Sequence, residues 1–260
     1  MASTASRGLH VEGNLSSAPP CTDASCIAPQ ATTWVRGYPS VLYGIDQCHS
    51  DTSPRPSGVL PLPTKVAAIP SSLTGSTTYD ARTAGITYDI AYDLWLNSSG
   101  TKAPCQTDGT LEIMVWTAHD ARSLLPESLK VGSASVPFVS NGDVHSGKDA
   151  WSVYVENVYG SGSTAPWGGT VWLVLDPGLA KNQGALTVDL SAALAAVGSV
   201  LENRFGWSNF ATSYWLDTIA FGMEFGPGNA DPSGAGPIDF GFDLTSYCLG
   251  VGTSLSSDAC

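Results

Sequence analysis

The segment Thr110–Asp120 reads TLEIMVWTAHD, and its alternation decides the fold class. Apolar residues at 111, 113 and 115 alternate with Glu112, Met114 and Trp116, the period of two expected of a strand with one face in a core. The other face carries a carboxylate, a thioether and an indole, where a solvated strand would more often show threonine, serine or several charges. The segment therefore predicts a buried strand whose second face lines a cleft.

Several other segments favour an all-β sandwich. The strand predictions cover Val41–Ile45, Ile86–Leu96, Ser152–Val158, Thr170–Leu175, Thr218–Phe225 and Ile238–Leu244. Leu190–Phe205 has helical spacing instead, with Asp189 as a candidate N-cap and Gly206 after its end. We therefore expect one helix packed on a β-structure.

Composition is consistent with short strands joined by many turns. Only 13% of the 260 residues are charged, while 28 are glycine and 17 are proline. We interpret residues 1–260 as a single domain, with an irregular N-terminal segment at 1–33 and an insertion at 118–167 that decorates the groove. No apolar run is long enough for a membrane span, so a membrane partner is not expected.

Charge and motifs exclude several classes of function. The net charge is −12 without any cluster of lysine and arginine, which argues against a nucleic-acid partner. The phosphate-binding, HExxH and GxSxG motifs are absent, and GSGSTA at 160–165 is followed by Pro166 and not by a helical pattern. No metal and no cofactor are therefore expected.

The cysteines point to a secreted, disulfide-bonded protein. Their number is even, at six, and none has the spacing of a zinc site. Fifteen pairings of six cysteines are possible, and the pairing stays open, with Cys248 and Cys260 one candidate pair. The opening MASTASRG has no apolar secretion signal, and we interpret the chain as a mature form from which the signal has been removed.

Carboxylates recur on the cleft side of three predicted strands. In ITYDIAYDLWLN, Asp89, Asp93 and Trp95 share the face opposite the apolar residues. In FGMEFG, Glu224 stands on a face that otherwise carries glycine and alanine, and we interpret the gap at Gly222 as room for a bulky ligand.

This arrangement suits glycoside hydrolysis. Two carboxyl groups that flank a sugar chain can act as acid and as nucleophile or base, and aromatic rings pack on the apolar faces of sugars. Alternation alone fits two ordinary exposed glutamates equally well. A secreted glucan-binding module or a structural disulfide-bonded sandwich would also suit the composition, although neither accounts for the carboxylates.

Four segments, in order, resemble glycoside hydrolase family 12, the endo-β-1,4-glucanases and xyloglucanases. They are RGYPSVLYG at 36–44, ITYDIAYDLWLN at 86–97, LEIMVW at 111–116 and FGMEF at 221–225. The resemblance runs from about Trp34 to Leu244, and LEIMVW is its most specific part. It implies a β-jelly roll of two curved antiparallel sheets, with one helix on the convex face and a concave substrate groove.

The resemblance also implies residue roles. Glu112 corresponds to the nucleophile of a retaining double displacement, Glu224 to the general acid/base, and Asp93 to an aspartate that hydrogen-bonds the nucleophile. The expected substrate-binding residues are Met114, Trp116, Trp95, Trp34, Tyr43 and Asn14. The implied partner is a cellulose-type or mixed-linkage β-1,4-glucan, or else xyloglucan, and a monomer is the default expectation.

Two positions depart from the family pattern. Ser16 follows Asn14 where the family has a tryptophan, and Phe225 follows Glu224 where a proline is common. Both differences bear on substrate preference more than on the reaction class.

Overall fold

A computed structural model describes residues 9–14, 38–44, 60–83, 86–98, 100, 109–120, 125–159, 168–226 and 239–252. Fourteen strands and two α-helices lie in these ranges, with 3-10 turns at Val66–Ala68 and Glu127–Leu129. The strands are β1 (Leu9–Asn14), β2 (Ser40–Gly44), β3 (Thr64–Lys65), β4 (Leu73–Arg82), β5 (Thr87–Asn97), β6 (Thr110–His119), β7 (Lys130–Ala134), β8 (Phe138–Ser140), β9 (Asp143–His145), β10 (Trp151–Tyr159), β11 (Gly168–Leu175), β12 (Gln183–Asp189), β13 (Trp215–Gly226) and β14 (Asp239–Val251). The helices are α1 (Leu190–Phe205) and α2 (Phe210–Ser213).

The strands form two sheets that pack face to face. The six-stranded sheet has the order β1-β14-β4-β12-β8-β9, and the eight-stranded sheet has the order β2-β13-β5-β6-β11-β10-β7, with β3 beside β13. The two sheets and their antiparallel pairings confirm the expected all-β sandwich, and among the described strands β6 and β11 pair in parallel. Parallel neighbours need a long crossover, and the chain supplies one through β7 to β10.

Alternating apolar residues of both sheets fill one core between them. Tyr92 of β5 and Phe221 of β13 are fully buried there, with ring centroids 4.7 Å apart. Phe242 of β14 faces them from the other sheet, 6.4 Å from Phe221. The strand alternation read from the sequence therefore places the apolar faces correctly and leaves the opposite face of the eight-stranded sheet for the candidate site.

Helix α1 has the bounds that its caps predict. The Asp189 side chain accepts a hydrogen bond from the Ala192 N–H at 2.8 Å, an N-cap that satisfies one of the free amides of the first turn. Gly206 ends the helix in the left-handed conformation at φ 69°, which glycine adopts without a steric penalty. Leu194 and Val197 lie in the core, and no helix in the described ranges is long and apolar enough to cross a membrane.

Two segments singled out in the sequence contribute strands to the sheets. Residues 9–14 of the segment 1–33 form β1, which pairs with β14. Within the segment 118–167, the four strands β7 to β10 belong to the two sheets. Leu125 and Leu129, in the described stretch before β7, pack on the eight-stranded sheet.

Candidate active site

Four carboxyl groups gather on the face of the eight-stranded sheet turned away from the core, which we call the groove face. Asp89 and Asp93 lie on β5, which runs between β6 with Glu112 and β13 with Glu224. Asp89 is 0% and Asp93 is 2% exposed, while both glutamates are partly exposed. The strand register places Asp89 opposite Glu224 and Trp95 opposite Glu112.

Burial raises the pKa of all four groups, and neighbouring carboxylates add to the effect for Glu112, Asp89 and Asp93. Burial raises the pKa of Glu112 to about 8, and the charge of Glu224 adds to the effect. Burial also raises the pKa of Glu224 to about 7. For Asp89 and Asp93, burial comes first and neighbouring carboxylates second, and both pKa values lie well above the ordinary value. The cluster therefore retains protons at a pH at which isolated carboxyls are ionised.

Thr170 supplies a hydrogen-bond donor to Glu112 that the sequence interpretation missed. Its Oγ1 donates to Glu112 Oε2 at 3.2 Å, and this bond lowers the pKa of Glu112. Thr170 lies directly beside Glu112 because β11 runs parallel to β6 in that register. The charge of Glu112 contributes, after burial, to the raised pKa of Asp93, and the role of Asp93 as a hydrogen-bonding partner of Glu112 stays a prediction.

The gap at Gly222 is filled by protein and not left for a ligand. A Cβ at Gly222 would lie 2.4 Å from the Pro39 carbonyl oxygen and 2.8 Å from the Tyr38 ring. Glycine is therefore needed for the close approach of the segment before β2. This approach brings the Tyr38 hydroxyl to Asp93, where it lowers the pKa of that carboxyl.

A β-bulge turns His119 onto the groove face. Strict alternation from Glu112 would place Ala118 there, but the register shifts beside Ile90, and Ala118 is fully buried in the core. His119 then lies opposite Asp89, with its Nδ1 3.1 Å from the Asp120 carbonyl. Its Nε2 is buried without a hydrogen-bond partner among the described residues, and bulges of this kind commonly re-aim side chains next to active sites.

Only part of the expected aromatic lining is open. Trp95 is partly exposed beside the carboxylates. Met114 and Trp116 lie on the groove face but are 4% and 1% exposed, because they pack in a second apolar cluster with Leu125 and Leu129. The expected binding roles of Met114 and Trp116 therefore stay predictions, and in this structure both side chains are buried in that cluster.

Three other predicted binding residues lie elsewhere or outside the described residues. Tyr43 pairs with the core residue Ile219, so it faces the core, and its hydroxyl donates to the Leu60 carbonyl at 2.6 Å. The expectation that Tyr43 lines the groove is a wrong prediction. Asn14 ends β1 in the six-stranded sheet, opposite Asp239, and Trp34 lies outside the described residues.

The described part of the chain contains no cluster of three or more His, Cys, Asp or Glu side chains arranged to hold a metal ion. What these carboxyls can do is exchange protons and attack an electrophilic carbon. One of them must be ionised and another protonated for that chemistry, and their coupled titration allows such a state.

The comparisons with known proteins agree with this arrangement. The sequence model of Glycosyl hydrolase family 12 matches residues 12–176, a range that includes Glu112 and Asp93 and ends before Glu224. None of the curated proteins matches the chain by sequence.

Two solved structures have a similar fold. One comes from a comparison of family 12 glycoside hydrolases and of substitutions important for thermal stability, with 21% identity, a TM-score of 0.52, and coverage of 85% of this chain and 77% of that one. The other is a family 12 xyloglucanase from Bacillus licheniformis in complex with ligand, with 16% identity, a TM-score of 0.51 and the same coverages, 85% and 77%. These two structures show the fold, and the family match over more than half of its length shows that the chain belongs to glycosyl hydrolase family 12.

Proposed function

We propose that this glycoside hydrolase cleaves internal β-1,4 bonds of unbranched or mixed-linkage β-glucans with retention of configuration. The observation that carries the proposal is the pairing of Glu112 and Glu224 across β5, where the charge of Glu224 raises the pKa of Glu112. Such coupling requires the two carboxyls to lie near each other. Retaining enzymes hold their two carboxyls about 5–5.5 Å apart, closer than inverting ones.

The proposed reaction has two steps. Ionised Glu112 attacks the anomeric carbon while Glu224 gives its proton to the glycosidic oxygen, which leaves with the departing sugar. Glu224, now ionised, then takes a proton from water, and the oxygen of that water displaces Glu112 from the anomeric carbon. Both groups return to their starting protonation states.

The pKa values bear on which form of the pair reacts. Burial raises the pKa of Glu112 and of Glu224 well above the value of a free carboxyl, so the pair still holds a proton at a pH at which isolated carboxyls have lost theirs. The mechanism needs this singly protonated pair, with Glu112 ionised and Glu224 protonated. We therefore expect a pH optimum near neutrality.

Two aromatic residues of the groove face bear on substrate binding. Trp95 beside Glu112 is partly exposed and available to pack on a sugar ring, whereas Trp116 is 1% exposed in an apolar cluster that includes Leu125. We take an unbranched or mixed-linkage β-glucan as the proposed substrate and xyloglucan as the alternative. We further propose that the protein is a secreted, disulfide-bonded monomer.

The experiment is reducing-end release from carboxymethylcellulose, barley β-glucan, xyloglucan and xylan. Glu112→Gln and Glu224→Gln should each lose at least 100-fold in kcat/KM on β-1,4-glucans, while Glu202→Gln on the exposed side of α1 serves as a matched control and keeps wild-type rates. Proton NMR of the first product should show the β-anomer. A wild-type protein that releases nothing, yet is retarded by the same polymers in an affinity gel, would instead be a binding module.

A further inference from the structure

Asp89 is a buried carboxylic acid that the proposed mechanism leaves without a role. It lies directly opposite Glu224 in the antiparallel pair of β5 and β13, a position in which Cβ atoms are about 4.5–5.5 Å apart. It is 0% exposed, and neither carboxyl oxygen accepts a hydrogen bond from a donor group among the described residues. The carboxyl across from it on β13 is that of Glu224, whose charge adds to burial in raising the pKa of Asp89.

A hydrogen bond between two carboxyl groups requires a proton on one of them. Carboxylates only accept hydrogen bonds, and two fully ionised carboxylates at this separation repel each other strongly in a buried site. Since no other described group donates to Asp89, the lowest-energy arrangement has one proton held between Asp89 and Glu224.

We propose that Asp89 is a positioning residue for Glu224, and that the two carboxyls hold one proton jointly and aim Glu224 at the glycosidic oxygen. This inference rests on the proposed function, because it concerns the general acid/base of that reaction. Asp89 does not touch the reacting atoms in this account. It acts by fixing the direction of the Glu224 carboxyl and the number of protons on the pair.

The surroundings of Asp89 leave Glu224 as its proton-sharing partner. Asp93 on β5 and Glu112 on β6 face it and raise its pKa through their charges. His119 lies opposite Asp89 on β6, and the charge of Asp89 adds to burial in raising the pKa of the Tyr38 hydroxyl. Of these groups, Glu224 is the carboxylic acid that lies directly opposite Asp89 in the strand pair.

A shared proton splits the titration of the pair into two steps. The first proton leaves more easily than from an isolated buried carboxyl, because the remaining proton stabilises the anion, and the second leaves less easily because two charges must then coexist. The directions of the two pKa shifts agree with such a split, since Asp89 lowers the pKa of Glu224 while Glu224 raises the pKa of Asp89. Replacing Asp89 by asparagine should merge the two steps into one.

The direct test follows the Glu224 side-chain carboxyl by 13C NMR against pH, without substrate. It is made in a Glu112→Gln background, which removes the other coupled glutamate. We expect two steps with Asp89 present and one step with Asp89→Asn. A single step with Asp89 present, or two steps that persist in Asp89→Asn, would overturn the proposal. Because no glucan is needed, this result is independent of whether the protein hydrolyses one.

Kinetics provide the second test. Asp89→Asn, whose amide can still donate to Glu224, should keep kcat within about tenfold at its own optimum. The alkaline limb of kcat/KM, where the pair loses its last proton, should move down by about one pH unit, because Glu224 then ionises without a second carboxylate beside it. Asp89→Ala should lose more in kcat because nothing then orients Glu224. Asp143→Asn on exposed β9 is the control that leaves the profile unchanged. An Asp89→Asn profile that overlays the wild type would sink the idea, and this variant decides the question even if Asp89→Ala does not fold.

Discussion

Replacing Thr170 by valine removes the hydroxyl that donates to Glu112 and keeps the shape of the side chain. The donor–acceptor distance of 3.2 Å is long for a bond between two oxygens. We therefore take the lower end of the roughly 1.5–3 kcal/mol that a hydrogen bond to a charged group contributes. About 1.5 kcal/mol corresponds to roughly a tenfold loss in kcat/KM.

The loss should depend on pH in a defined direction. Thr170 lowers the pKa of Glu112, so its removal raises that pKa above its present value of about 8. Less Glu112 is then ionised at any pH below this value, and the acidic limb of kcat/KM moves upward. The defect should therefore be largest in acid and shrink as the pH rises.

The assay is initial-rate hydrolysis of barley β-glucan from about pH 4 to about pH 9 with three variants. Thr170→Ser keeps the donor and should stay within about twofold of wild type. Thr187→Val, in the six-stranded sheet, removes a hydroxyl bonded to Ser76 and should lower the unfolding temperature with little effect on kcat/KM. Equal rates for Thr170→Val and wild type across this range would show that the hydroxyl does not support an ionised nucleophile.

Three further predictions concern stability and the groove. Burial raises the pKa of Asp217, which is 0% exposed, from 3.8 to about 7. The folded state therefore binds this proton more tightly than the unfolded state, and the free energy of unfolding falls as the pH rises from about 4 to about 7. In urea unfolding, Asp217→Asn should gain at least about 1 kcal/mol over the wild type between pH 5 and pH 8, and an identical pH dependence of the two proteins would contradict this. Trp95→Ala should raise KM for glucan several-fold with little change in the unfolding temperature. Trp116→Ala, at a site 1% exposed, should lower the free energy of unfolding by about 3–5 kcal/mol. The reverse pattern would show that Trp116 and not Trp95 binds the sugar. Gly222→Ala places a Cβ 2.4 Å from the Pro39 carbonyl oxygen and should destabilise the fold by about 1–3 kcal/mol in thermal melts, so an unchanged melting temperature would contradict the close approach.

Local patterns account for the elements and for which side of each strand is apolar. Alternation in β6 separates Ile113 from Glu112 because successive side chains of a strand point to opposite faces. The caps of α1 can be predicted from the sequence. The Asp189 side chain accepts a hydrogen bond from the first turn, and Gly206 ends the last turn because glycine adopts the left-handed conformation. These effects act within a few residues, and the amino-acid sequence states them directly.

The sequence is a weaker guide where a distant segment intervenes. Tyr43 has an aromatic ring of the kind that packs on sugars, but its pairing with Ile219 of β13 turns the ring toward the core. Its hydroxyl donates a hydrogen bond to the Leu60 carbonyl. Trp116 lies on the groove face as alternation predicts, but it is 1% exposed within an apolar cluster that includes Leu125. Alternation carries no information about which neighbours a strand has or what lies above its face.

The sequence by itself determined the all-β class, the helix bounds and the family, and it placed Glu112, Glu224 and Asp93 on one face. Only the tertiary structure decided that Thr170 donates to Glu112, that Asp89 lies opposite Glu224 and that a bulge turns His119 toward the same face. The physical reason is that carboxyl pKa values and hydrogen bonds depend on burial and on the nearest groups in space, and the register between β5, β6, β11 and β13 brings these groups together from separate parts of the chain.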